Sequence, residues 1–327
     1  MLNSTAFLSP KTLESDIEQA PTRNGYGEGL VRAGENNEQV VALCADLSES
    51  TRSEGFQKKF PERYVQVGVA EQNMATVAAG LALAGKIPFM ASYATFSPGR
   101  NNEQIRTTIA IGSLNVKIVG AHAGVSVGPD GATHQALEDI GLMRMLPHMS
   151  VVYPCDALEA RKATEYAALH KGPVYLRFAR EKTPLFTTEK TPFQFGKVGV
   201  FQEGTDATII ACGPLVHEAL LAAHALSSQG ISVEVLNCHT IKPLDKEGIL
   251  ASVKKTKAVV TVEEHQVVGG LGSAVAELLA KEFPAPIEFV GMQDRYGESG
   301  EPQELLEAFH LTAPWIEKAV QNVMKRA

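Results

Sequence analysis

Short apolar runs alternate with stretches of helical spacing from one end of the chain to the other. Val40-Val-Ala-Leu-Cys-Ala is continuous and uncharged, the pattern of a strand buried on both faces of a parallel sheet. Further strands are predicted at 64–67, 87–90, 116–120, 151–153 and 174–178, and a helix at 157–168. Residues 182–199 break the pattern: they are polar, punctuated by prolines and without period, and read as a linker. The alternation then resumes, with strands at 207–212, 231–236, 258–262 and 287–290 and helices at 214–227 and 273–281. The fold class this implies is α/β, as two doubly wound domains. The expected divisions are an N-terminal extension (1–20), a first domain (21–181), the linker (182–199) and a second domain (200–327).

One helix differs from the rest. Residues 75–85 are almost wholly apolar, and a helix uncharged for that length is expected to be buried. Glu71 stands at its entrance, just after a β-branched strand and Gly68. Such a carboxylate has two readings. It is a first-turn acid interacting with the helix dipole, or a desolvated carboxylate that hydrogen-bonds a ligand.

Composition narrows the classes. The chain has 327 residues, 44% hydrophobic and 20% charged, with a net charge of −7, ordinary for a two-domain globular protein. No basic tract stands out, so nucleic acid is not an expected partner. No uninterrupted apolar run reaches bilayer length, and no membrane association is expected. The first residues lack the basic start and apolar core of a secretion signal. Cys44, Cys155, Cys212 and Cys238 form no Cys-x-x-Cys pair, and Cys44 and Cys212 fall inside apolar strands as reduced core residues. The expected location is the cytoplasm, with no structural zinc.

Candidate chemistry gathers beyond predicted strand ends, where open α/β sheets bind ligands. The loop 121–135 carries His122, Asp130, Thr133, His134 and Gln135 among glycines, without zinc-site spacing. Tyr93 and Phe96 are core residues or a stacking platform for a flat ring. Arg177 and Arg180 suit phosphate or carboxylate recognition, or a solvated surface. Gly-Gly-Leu-Gly at 269–272 lacks dinucleotide-fingerprint spacing, and a tight turn explains it better than an anion site.

Taken in order, these residues carry a family resemblance. Asp46-Leu-Ser-Glu-Ser50, Gly68-Val-Ala-Glu-Gln-Asn-Met74, Tyr93-Ala-Thr-Phe96, Gly128-Pro-Asp-Gly-Ala-Thr-His-Gln135 and Arg180 resemble the pyrimidine-binding domain of transketolases. Residues 200–327, with Glu263-Glu-His265 and the glycine-rich turn, resemble the transketolase C-terminal domain. The fold this implies is a thiamine-diphosphate-binding pyrimidine-type domain followed by a transketolase C-terminal-like domain.

The resemblance also implies roles. Glu71 matches the glutamate that hydrogen-bonds the aminopyrimidine ring and promotes its imino tautomer, which deprotonates the thiazolium. Phe96 matches the aromatic stacked on that ring, Tyr93 matches its neighbour, and Asp46 falls on the cofactor side. His134 matches a histidine near the reacting carbons, which with Glu71 makes the catalytic set. Asp130 matches an acid that reads a substrate hydroxyl. Arg23, Ser50, His122 and Arg180 match the cluster that holds a sugar phosphate. The implied reaction moves a two-carbon ketol unit from a ketose phosphate to an aldose phosphate.

Two departures qualify the match. Ser97-Pro-Gly-Arg-Asn-Asn102 replaces a helical segment, and its proline and glycine argue against a helix. The Gly-Asp-Gly and paired asparagines of the family's diphosphate-binding domain are missing. The resemblance therefore implies the C-terminal subunit of a split transketolase, with no metal site of its own. A separate N-terminal subunit would hold the diphosphate and Mg2+ or another divalent cation. The implied assembly is α2β2, with two copies of this chain paired along the apolar helix. The alternatives are an enzyme resembling 1-deoxyxylulose-5-phosphate synthase, a 2-oxo-acid dehydrogenase β-type subunit, or a regulatory or interaction protein that kept the fold.

Overall fold

The computed structural model describes all of residues 1–327. Its strands are β1 Gln19–Pro21, β2 Val40–Cys44, β3 Tyr64–Gln66, β4 Ile87–Tyr93, β5 Lys117–Ala121, β6 Ser150–Val152 and β7 Val174–Arg177. After these come β8 Lys182–Pro184, β9 Gly199–Gln202, β10 Ala207–Ala211, β11 Val233–Asn237, β12 Thr240–Lys242, β13 Val259–Gln266 and β14 Ile287–Met292. Most apolar runs read from the sequence become inner strands, but 64–67 and 287–290 become the edge strands β3 and β14. Every residue of β2, β5, β7, β10 and β11 is buried, because helices cover both faces of each sheet.

The first sheet has seven strands in the order β12-β6-β7-β5-β4-β2-β3. All neighbours are parallel except β12, which runs antiparallel to β6. From β2 the chain steps outward to β3, then returns to the other side of β2 as β4. The crevice at that switch point is where such sheets bind ligands. The second sheet, β14-β13-β10-β11-β9, is parallel except for its edge strand β9.

The domains are joined more closely than a linker implies. β12 belongs to the second half of the chain yet completes the edge of the first sheet. One core of 33 buried residues unites Leu43, Met74 and Ile118 with Ile210, Leu236 and Leu271. The segment expected as a linker opens with β8, which pairs antiparallel with β1. The segment expected as an N-terminal extension lies against the second domain: Ala6 and Ile17 share a core with Phe201, Leu220 and Val320. The Asn3 amide donates to Phe201 O at 2.9 Å, and His217 Nε2 meets Thr12 O at 2.8 Å.

The apolar helix, Glu71–Leu83, corrects one expectation. Glu71, Met74, Ala75, Ala78 and Ala79 are buried, but Leu83 is 75% exposed and Val69, just before the helix, 73%. A single chain covers only one stripe of a helix that is apolar all round. The 97–102 segment is irregular, as proline and glycine demand. Wide helical turns over Thr95–Arg100 break at Ser97, whose φ is −141° and ψ 101°. No helix is long and apolar enough to cross a membrane.

Candidate functional site

The candidate residues collect at the C-terminal ends of the parallel strands. Asp46 and Ser50 follow β2, Glu71 follows β3, and Tyr93 ends β4 with Phe96 just beyond. His122, Asp130 and His134 follow β5, and Arg180 follows β7. Arg23 comes from the first turn of the helix Thr22–Asn36.

Four rings form one cluster. Tyr93 stacks on His122 with centroids 3.9 Å apart, and lies nearly parallel to Phe96 at 5.9 Å. His134 stands edge-on to Phe96 at 5.5 Å and to Tyr93 at 6.2 Å. Glu71 opens the apolar helix and is only 2% exposed. Its Oε2 accepts from Arg100 Nη1 at 2.7 Å, and the guanidinium carbon of Arg100 sits 4.6 Å from the centre of the Phe96 ring. A flat cation with N–H donors thus bridges the carboxylate and the aromatic face, its side chain 47% exposed. A planar heterocycle bearing an N–H would make the same two contacts in place of Arg100.

The other end of the cluster is rich in hydrogen-bond donors. Arg23 Nη1 donates to Ser50 O at 2.7 Å and faces His122 Nε2 at 3.3 Å. Burial, reinforced by the charges of Arg23, Arg180 and Arg52, lowers His122 to about 3 and keeps its ring neutral. Arginine only donates, so Nε2 must accept and Nδ1 carries the proton. That Nδ1–H and the Nε–H of Arg23 are buried without a partner in the chain. Unpaired buried donors are costly unless a ligand takes them. Arg180 Nη1 donates to Val127 O at 2.9 Å and to Asp130 Oδ2 at 3.3 Å.

Asp46 is placed differently. Its carboxylate is exposed and makes no hydrogen bond, while its backbone, at φ 61°, donates its N–H to Gln66 Oε1 at 2.7 Å. Two arginines of the site escaped the sequence reading. Arg100 lay inside the irregular 97–102 segment. Arg52, two residues past Ser50, donates to Asn24 Oδ1 at 2.9 Å and adds its charge to that around His122. No group of three or more His, Cys, Asp or Glu side chains is placed to hold a metal ion.

Beneath the loop after β5 lies a buried ionic knot. Asp139 accepts from Arg177 Nε at 2.8 Å, Arg177 Nη2 at 3.2 Å and the Tyr175 hydroxyl at 2.5 Å. Arg177 Nη2 also donates to Ala136 O and, across the domain boundary, to Glu264 O at 3.0 Å. The glycine-rich turn at 269–272 is explained close by. Glu263 accepts from the Leu271 and Gly272 amides at 2.7 Å each, so the free amides of this helix N-terminus are already taken by a carboxyl group, which burial pushes up to about 8. A Cβ on Gly270 would run into that carboxylate.

Comparison with known proteins agrees with this architecture. Residues 18–184 match the family described as transketolase, pyrimidine binding domain, and residues 196–316 match transketolase, C-terminal domain. The 6-deoxy-6-sulfo-D-fructose transketolase subunit SqwH of Clostridium sp. (strain MSTE9) is 43% identical, over 96% of this chain and 97% of its own. A putative transketolase C-terminal section from Methanocaldococcus jannaschii is 45% identical, over 93% of this chain and 96% of its own. A solved structure described as a split gene transketolase, inactive beta4 tetramer, is 46% identical with a TM-score of 0.88, covering 93% of this chain and 98% of that one. With both domains matched in order and split subunits matched at nearly full length, the chain belongs to the transketolase family and has the make-up of a split enzyme's C-terminal subunit.

Proposed function

We propose that this chain is the C-terminal subunit of a thiamine-diphosphate-dependent ketol transferase. It would move a two-carbon unit from a ketose phosphate to an aldose phosphate, together with a separate diphosphate-binding subunit. The observation that carries the reading is the flat Arg100 guanidinium held between buried Glu71 and Phe96, where a planar ring would take the same two contacts, with unpaired His122 and Arg23 donors at the far end of the same ring cluster.

When bound, thiamine diphosphate supplies a carbon nucleophile. Glu71 would accept a hydrogen bond from a ring N–H and could hold a proton at its carboxylate. Phe96 supports the ring face, with Tyr93 behind it. His134 and Asp130 address the hydroxyls of the sugar. Arg23, Arg180, Ser50 and the Nδ1–H of His122 hold the anionic end. The diphosphate and its divalent cation fall to the partner subunit. The exposed apolar face running from Val69 to Leu83 is the surface a second copy of this chain would cover.

The related tetramer whose description calls it inactive supports the need for a partner. A second reading concerns the substrate tail. The relative named for 6-deoxy-6-sulfo-D-fructose raises a sulfonate as the anion, and a neutral His122 suits a monoanion as well as a dianion. The test is to combine this chain with its native partner, thiamine diphosphate and Mg2+. Transfer is then assayed from xylulose 5-phosphate, fructose 6-phosphate, 6-deoxy-6-sulfofructose and pyruvate. Transfer from a phosphosugar, with no activity in the lone chain, is the expected result. Turnover of pyruvate alone would overturn the reading in favour of an oxo-acid enzyme. A complex that binds cofactor and turns over nothing would favour an interaction protein.

Arg100 makes a further expectation. Its guanidinium already fills the space assigned to the aminopyrimidine, so binding must displace it from Glu71. Only the Arg100 end of the pair is open to solvent, while Glu71 is buried, so removing the competing guanidinium in Arg100→Met is expected to tighten thiamine diphosphate by about 2- to 5-fold in calorimetric titration of the complex. Weaker binding would mean that Arg100 supports the bound state instead.

A further inference from the structure

The second domain contributes none of the candidate residues, yet it touches the loop that carries three of them. The loop after β5 turns sharply: His122 has φ 55° and Gly124 φ 90°. Its next turn presents the Ser126 amide to Glu264 Oε1 at 2.6 Å. Glu264 lies on β13 of the second domain and is fully buried. A Cβ on Gly124 would collide with that carboxylate, so the backbone approaches as closely as glycine allows. A second tie comes from Gln135 at the end of the loop. Its Nε2 donates to Val125 O and Gly128 O inside the loop and to Glu298 O of the second domain at 2.9 Å.

A buried carboxylate is expensive and persists only where something needs it. Apart from that amide, Glu264 faces Arg177, whose guanidinium donates to its backbone oxygen, and Asp139, whose charge opposes it. Ser126 holds the Glu264 carboxyl from the loop side, its amide donating at 2.6 Å and its hydroxyl also facing the group. We infer that Glu264 is a positioning residue: it fixes the 122–131 turn from beneath, so that His122, Asp130 and His134 present their side chains to the sugar. The inference rests on the transketolase reading for its substrate, but the tie itself can be read without any turnover.

The test compares Glu264→Ala and Glu264→Gln in the full chain and in the complex with its partner. Glutamine keeps an oxygen for the Ser126 amide; alanine does not. Amide hydrogen exchange is measured on the chain first. In Glu264→Ala the amides of 122–131 are expected to lose protection at least 10-fold, while those of Glu71–Leu83 and β10 keep theirs. In the complex, thiamine diphosphate affinity should stay within 2-fold, because Glu71 and Phe96 are held by other elements. KM for the ketose phosphate should rise about 10-fold, and Glu264→Gln should restore most of it. Unchanged loop exchange in Glu264→Ala would overturn the inference, as would protection lost throughout the chain or cofactor affinity falling in step with KM. If the wild-type complex transfers no sugar, the functional reading fails while the exchange comparison still decides whether Glu264 holds the loop.

Discussion

A complex reconstituted with Glu71→Gln is expected to lose ketol transfer by on the order of 10³-fold or more. Glutamine fills the same volume at the head of the helix and still presents an oxygen to a ring N–H. What it lacks is a site that can hold a proton, the one property the proposed chemistry demands of a side chain so deeply buried. Cofactor affinity should change far less than kcat, because stacking on Phe96 survives the substitution. The two effects are separated by titrating thiamine diphosphate into the variant complex and by measuring turnover at saturating cofactor. Activity within 10-fold of wild type would remove Glu71 from the catalytic set and return it to a first-turn acid. Removing the side chain in Glu71→Ala should abolish transfer as completely.

Asp139→Ala should be the most damaging substitution for stability, at about 3–5 kcal/mol in denaturant unfolding. Arg177 is wholly buried and cannot shed its proton, so deleting its partner leaves an uncompensated charge among apolar side chains. Tyr175 would lose its acceptor at the same time. The double variant Asp139→Leu/Arg177→Met removes both charges and should recover a large part of the loss. A double variant no more stable than the single one would show that the neutral hydrogen bonds carry the knot. The sign with pH follows from the same geometry. Burial opposes the charge on Asp139, but Arg177, His265 and the hydrogen bonds outweigh it and hold the carboxyl below its usual range. Its stabilisation is complete above the unfolded value of about 3.9 and is lost as pH falls below that through the folded one.

Much of this was legible in the chain itself. β2 could be read because five buried residues in a row leave no polar alternation to confuse a strand with a surface helix. Glu71 stood out because a charge bordering an apolar helix needs a reason. The ring cluster was foreshadowed by His122 and His134 in one glycine-rich loop. Other features depend on neighbours far along the chain. β12 is a strand because β6 lies beside it, and nothing in Thr240-Ile-Lys242 announces that. Glu264 meets Ser126 across 138 residues of sequence. Arg100 sits among a proline and glycine that signal irregular backbone but not where a side chain will land. The helix Glu71–Leu83 was read as buried because an apolar pattern does not say whether its cover comes from the same chain or another.

The edge strand β12 has a consequence for assembly. A subunit made of two loosely tethered domains would have to surrender their relative freedom on meeting its partner, and that loss would subtract from affinity. Here β12, the shared core and the knot around Arg177 remove that freedom during folding. The partner therefore meets a preorganised face, and association has mainly side chains and short loops left to order. On the proposed function, motion that admits a substrate would then fall at the joint between subunits, tying the rate of its entry to the quaternary contact rather than to a hinge within this chain.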